Sequence, residues 1–347
     1  MSQPRHIRPG ATWLVTRRTT RRHMLFRPDK DGTTQRIYWY VTAVLAEKFG
    51  IELHAVQVLS THLHEVLTDV RGVLPAFLRE RNRILANVLK RHRDWPEEVF
   101  QRASASCVEL YGPNAILQEI GYTLANCVEA GLVSEATEWP GATARVGEIG
   151  AGVFRTVERP RMYFNPKNRT WPERASVTLT MPQVLTQTYG ERATAVLRSA
   201  VRAAVARARR IARKAGYVVR DIARLYRVPF TDRACSREPS GQRNPTFATG
   251  GVAELARKAI DERFTFRTLY RQARDALKRG IPGVAFPEGA WRWLRELLPC
   301  RTPEEPTRLA QCQSALSVTR LAQCQSALSV SPLGTCGESY GSSPTPR

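Results

Sequence analysis

The chain has 347 residues, long enough for more than one hydrophobic core, and its 42% hydrophobic composition is that of a globular protein, not a disordered one. Lys and Arg number 53 against 31 Asp and Glu, a net charge of +22 that points to a polyanionic partner; with no amphipathic or lipidation signal this is nucleic acid before a membrane surface. No apolar run of about 18 residues and no signal-peptide core is present, so a cytoplasmic protein is expected, and seven cysteines without a Cys-x-x-Cys pair describe neither a disulfide framework nor a zinc knuckle.

The chain opens on a strand over residues 11–19 whose end carries Arg17, Arg18, Arg21 and Arg22. Such a basic strand end suits either a DNA backbone or a solvated loop. A helix over Thr34–Lys48 follows, with Ile37, Tyr38, Val41, Val44, Leu45 and Phe49 as its apolar stripe. Strands over 51–58 and 62–69 are joined by a tight turn or bulge near Ser60. A second helix, Val73–Arg91, turns Leu74, Phe77, Leu78, Ile84, Leu85 and Val88 inward and Arg79, Arg81, Arg83 and Lys90 mostly outward. A fourth strand over Ala103–Leu110 and a helix over 113–129, stopped by Gly131, complete the first 145 residues. The order β-α-β-β-α-β-α predicts an α+β domain: a ferredoxin-like split βαβ pattern with an antiparallel sheet and helices on one face.

Residues 146–184 carry Pro160, Pro166, Pro172 and Pro182 among arginines and read as an extended connector. Residues 185–299 read as a basic, mostly α-helical accessory domain, with one helical stretch from Gly190 to Tyr226 holding Arg198, Arg202, Arg209, Arg210, Arg213 and Lys214. Few carboxylates balance these charges, which favours phosphate contact over a merely solvated face. Further helices are expected over 252–279 and 287–298, the last holding Trp291 and Trp293. In the tail, 300–347, Arg308–Val318 recurs identically as Arg320–Val330; two copies do not make a solenoid, and the Ser/Pro/Gly-rich composition predicts disorder.

The chemistry concentrates at two places. His62 and His64, two apart on a strand, project from one face about 7 Å apart at Cα, half of a metal site. Tyr122 and Asn126, four apart on a helix, share a face and can offer a phenol and an amide oxygen together.

Read as Val58 to Asp69 and Tyr122 to Val133, these stretches resemble the HUH single-strand DNA transposases with one catalytic tyrosine, above all the REP-associated tyrosine transposases. In that family a strand of the form V-x-x-P-x-H-x-H bears the metal histidines and a helix of the form Y-I-x-x-N-P-V-x-x-G-L/W-V bears the nucleophile. Asn126, Val128, Gly131 and Val133 are in place. The first strand, Gly10–Arg18, and the Glu138-Trp139-Pro140 corner also resemble the family. The resemblance covers about the first 145 residues and implies the HUH nuclease fold. It implies Tyr122 as nucleophile, His62, His64 and Asn126 as ligands of Mg²⁺ or Mn²⁺, and single-stranded or hairpin DNA as partner. Ser60-Thr61 stands where the family has P-x, and Cys127 where it has proline. These departures motivate a second reading, a catalytically silent nucleic-acid-binding protein of the same fold. A zinc hydrolase using His54, His62 and His64 is a third. The sequence leaves open whether copies pair as homodimers.

Overall fold

The computed structural model describes residues 4–103, 105–218, 222–235 and 245–290. The expected helix over 287–298, with Trp291 and Trp293, runs out of this set; the tail, with Cys300, Cys312, Cys324 and Cys336, lies wholly outside it.

Strand β1 (Ala11–Arg18), helix α1 (Thr33–Phe49), strands β2 (Ile51–Val58) and β3 (His62–Asp69), helix α2 (Leu74–Arg93) and strand β4 (Ser106–Leu110) follow in the expected order. They build a sheet ordered β2-β3-β1-β4, in which β1 runs antiparallel to β3 and β4, and β2 antiparallel to β3. Helices α1 and α2 therefore each connect two parallel strands with one strand between them, and the fold is α+β with a mostly antiparallel sheet. Residues that make good helix ends sit at the ends. Gly50 stops α1 at φ +67°, and the buried Asp69 carboxylate accepts the N–H groups of Val73 (2.9 Å) and Leu74 (2.7 Å) at the start of α2.

Strand alternation divides β3 between two faces. Glu65 points to α1 and α2, where one carboxylate oxygen accepts both the Tyr38 hydroxyl and the Arg81 guanidinium. The expectation that Arg81 faces outward is therefore wrong. It is fully buried, because Glu65 supplies the opposite charge that makes burial tolerable. His62 and His64 occupy the other face, against helix α3 (Gly112–Glu129). That helix closes as read: the Gly131 N–H donates to the Val128 carbonyl and the Leu132 N–H to that of Cys127, with Gly131 at φ +65°.

The connector forms an antiparallel hairpin, β5 (Phe154–Glu158) and β6 (Arg174–Thr178), which packs on α1. Beyond it the Thr180 N–H donates to the Leu53 carbonyl (2.8 Å), tying this segment to the edge of the sheet. The helical stretch expected over 190–226 is not continuous: after α4 (Gln183–Tyr189), which precedes it, the described residues hold α5 (Ala193–Lys214) and the short α6 (Ile222–Leu225), with Gly216 in the left-handed region after α5. Helix α5 lies along α3. A Cβ on Gly121 would stand 3.0 Å from that of Ala204, so small residues on both helices set how closely they approach. One unforeseen strand, β7 (Phe247–Ala248), adds to the sheet parallel to β4. Two residues are too short for an alternation pattern, and pairing with β4 makes the strand. Helix α7 (Ala253–Lys278) then brings Arg263 onto the buried Glu109 of β4 (2.7 Å). Leu185, Leu197 and Val201 belong to the same core cluster as the sheet. Among the described residues no helix is long and apolar enough to cross a membrane.

Candidate active site

Between β2 and β3 the chain reverses through Leu59, Ser60 and Thr61, with the Leu59 N–H donating to the His62 carbonyl (2.8 Å). No proline shapes this turn. Neighbouring backbone holds it instead: the Phe26 N–H donates to the Ser60 carbonyl (3.0 Å) and the Thr19 N–H to the Thr61 carbonyl (2.9 Å). The rings of His62 and His64 then emerge on one face with centres 4.8 Å apart and nearly perpendicular planes.

Each imidazole is oriented by a hydroxyl on Nδ1. Thr61 Oγ1 lies 2.9 Å from that of His62, and Thr16 Oγ1 lies 3.0 Å from that of His64, its register partner across β1. The remaining nitrogen of His64, Nε2, is buried and has no hydrogen-bond partner among the described residues. An aromatic nitrogen left in that state loses its hydration for nothing, unless something binds it.

Helix α3 supplies the rest. The Tyr122 ring centre is 5.3 Å from that of His64, and the residue is 37% exposed, so the phenol borders both the site and solvent. Asn126, buried one turn later, lies near enough to both His62 and Tyr122 for its side chain to act on each. Glu119 and Glu129 complete the stripe at i−3 and i+7 from Tyr122. Trp139 fixes this arrangement from outside: its indole N–H donates to the Val58 carbonyl at the end of β2 (2.8 Å). Cys127 is fully buried in a cluster with Leu59, Val128, Val133, Trp139 and Ala208, a position that requires a small apolar group.

Charge and burial tune these groups. Burial, then the cations Arg18 and Arg22, lowers His62 to about 4 against an opposing bond from Asn126. Burial, then His62 and Arg18, holds His64 well below the usual histidine range. Both rings are therefore neutral at physiological pH, the form that can donate a lone pair to a metal ion. Burial also raises the Tyr122 phenol, helped by Glu129 and Glu119 and opposed by the Asn126 hydrogen bond and by Arg18. Among the described residues no three His, Cys, Asp or Glu side chains cluster in a metal-binding group.

The candidate residues thus separate. His62, His64, Tyr122 and Asn126 come together, and Arg18, opposite His62 in the register, lies near enough to act on both rings and on the phenol. Arg17 does not join them. Strand alternation sends it to the opposite face, where it donates to the Gln101 (2.8 Å) and Ala103 carbonyls and covers the Phe100 ring. Arg198, Arg202, Arg210, Arg213 and Lys214 are exposed on α5, whereas Arg209 is held by Glu135 and the Ser134 carbonyl. His54 is not near a third ligand position in chemical terms either: Nδ1 is 2.8 Å from the Thr180 carbonyl oxygen and Nε2 is 2.7 Å from Thr68 Oγ1, so both nitrogens are engaged. Sequence reasoning missed the roles of Thr16 and Thr61 beside the two imidazoles. Thr16 carries a signal only once the β1–β3 register is known.

No known family profile matches the chain, and no curated protein matches it. Among solved structures, one described as the REP-associated tyrosine transposase bound to a REP hairpin is similar at 20% identity and a TM-score of 0.34, over 41% of this chain and 81% of that one. A likeness of that size carries no functional argument.

Proposed function

We propose that the protein is a metal-dependent single-stranded DNA endonuclease and strand transferase on a ferredoxin-like, HUH-type domain. The observation that carries this reading is the convergence of Tyr122 with the His62–His64 pair, one imidazole nitrogen of which is buried without a partner among the described residues. The Tyr122 oxygen forms a bond to phosphorus as the bond from phosphorus to the 3′ oxygen breaks, the phenol proton passes to solvent, and the departing oxygen takes a proton from water. The products are a 5′-phosphotyrosine and a free 3′-OH, and attack by a 3′-OH on the same phosphorus reverses the step and joins strands. His62, His64 and the Asn126 amide oxygen would hold Mg²⁺ or Mn²⁺, which supplies Lewis-acid stabilisation of charge on the non-bridging oxygens. Arg18 and the exposed arginines of α5 give the phosphate backbone its counter-charge.

Labelled single-stranded and hairpin DNA from the flanks of the protein's own gene, incubated with Mn²⁺ and run on a denaturing gel, tests the proposal. The wild type is expected to form a covalent adduct that chelation abolishes. Tyr122→Phe is expected to bind DNA within about twofold and to form none. An adduct with the Phe variant would move the nucleophile elsewhere. No adduct with the wild type on any DNA, with binding retained, would favour a silent nucleic-acid-binding protein of the same fold.

A further inference from the structure

A second site lies outside this constellation. A cleft of about 540 Å³ opens between the β5–β6 hairpin, the loop that follows α3 and the first turn of α1. Its wall is built firmly. The Val58 N–H donates to the Ala142 carbonyl and the Ala144 N–H to that of Val56, both at 2.8 Å, so residues 142–144 run bonded along β2. The buried Trp139 ring lies beneath, and Gly141 is required, since a Cβ there would stand 2.8 Å from the Val58 carbonyl oxygen.

The acidic groups of the wall are satisfied internally. Glu138 accepts the Ser134 and Glu135 N–H groups (3.0 Å each), and Glu148 accepts Arg155 (2.7 Å) and the Arg145 N–H (2.9 Å). Other side chains are turned to no internal use. Phe154 is 72% exposed at the mouth, beside Val153, itself 57% exposed. Gln35, half-buried, has a carboxamide with no hydrogen bond among the described residues. Arg145 stands exposed on the rim.

The geometry points to a pocket for one unpaired base of single-stranded DNA. The base stacks on Phe154, Gln35 reads its edge through a donor and an acceptor, and Arg145 meets its phosphate. A phenyl face binds any base by stacking, and a carboxamide adds selectivity by pairing two-point with a base edge. The anchor of the wall is β2, the edge strand that leads through the 59–61 turn into His62. This inference rests on the single-stranded DNA reading above.

Fluorescence anisotropy with labelled single-stranded 20-mers of mixed and homopolymeric sequence tests it, on full-length wild type, Phe154→Ala, Gln35→Ala and Arg145→Ala. Phe154 is exposed, so its removal leaves folding intact, which circular dichroism checks. Phe154→Ala is expected to weaken binding about tenfold with an unchanged salt slope, near the lower end of what one stacked base contributes. Gln35→Ala should flatten the preference among homopolymers, and Arg145→Ala should lower the salt slope by about one unit. Affinity within twofold of wild type for Phe154→Ala, with the same base preference, overturns the pocket. If that occurs while wild type still forms the Tyr122 adduct, the pocket alone fails; if wild type binds no single strand, both readings fail.

Discussion

The imidazole of His64 sits edge-on to the phenol of Tyr122, ring centres 5.3 Å apart, with its Nε2 buried and unpartnered among the described residues. The turn at Ser60–Thr61 and the Trp139 anchor hold the end of β2 beside this contact of β3 with α3. That relationship gives the first prediction.

An ion that binds the folded site and not the unfolded chain raises stability by mass action. Mn²⁺ should therefore raise the melting temperature of the wild type and leave that of His64→Ala unmoved. Thr16→Val should keep the fold but raise the Mn²⁺ concentration needed for half the shift by about 10- to 100-fold, because the hydroxyl that orients the His64 ring is gone. Differential scanning fluorimetry across a Mn²⁺ titration measures both. An equal shift for His64→Ala would place the ion elsewhere.

His54 predicts a pH dependence. Its two nitrogens are satisfied only in the neutral form, with Nδ1–H donating to the Thr180 carbonyl and Nε2 accepting from Thr68, and burial lowers it to about 4. The unfolded chain, with histidine near 6.5, binds the proton first, so stability is complete above about pH 6.5 and falls as pH drops toward 4. Urea midpoints in metal-free buffer should decline over that window. A His54→Gln variant should show a shallower decline, and an unchanged slope would remove His54 as the cause.

The buried Arg81–Glu65–Tyr38 group predicts an asymmetry. Arg81→Ala leaves the Glu65 carboxylate buried without its cation and should cost about 3–5 kcal/mol, whereas Arg83→Ala, on the exposed face of the same helix, should cost under about 0.5 kcal/mol. Urea unfolding followed by circular dichroism separates the two. Similar losses at both positions would contradict the burial of Arg81.

The arginines should divide in their salt dependence. Replacing Arg202 or Arg210 by Ala is expected to lower the slope of log affinity against log salt by about one unit each. Arg17→Ala and Arg209→Ala should change it by less, since those guanidinium groups are held by carbonyls and by Glu135. Anisotropy at several salt concentrations reads the slopes, and equal effects at all four positions would refute the division.

Periodicity in the sequence determined the elements of the first 130 residues and which side chains near the site share a face. His62 and His64 had to share one side of a strand, and Glu65 had to take the other. Tyr122 and Asn126 had to share one side of a helix, and Gly131 had to end it. Such statements follow from backbone repeats alone, 2.0 residues for a strand and 3.6 for a helix. What periodicity cannot specify is which faces meet. Only the tertiary structure decided that Thr16 sits opposite His64, that Arg81 turns inward to Glu65 while Arg17 turns away from the site, and that β7 joins β4. Those outcomes depend on strand register and on burial of one charge by another, and both are energies shared between residues far apart in the chain, which no local pattern encodes.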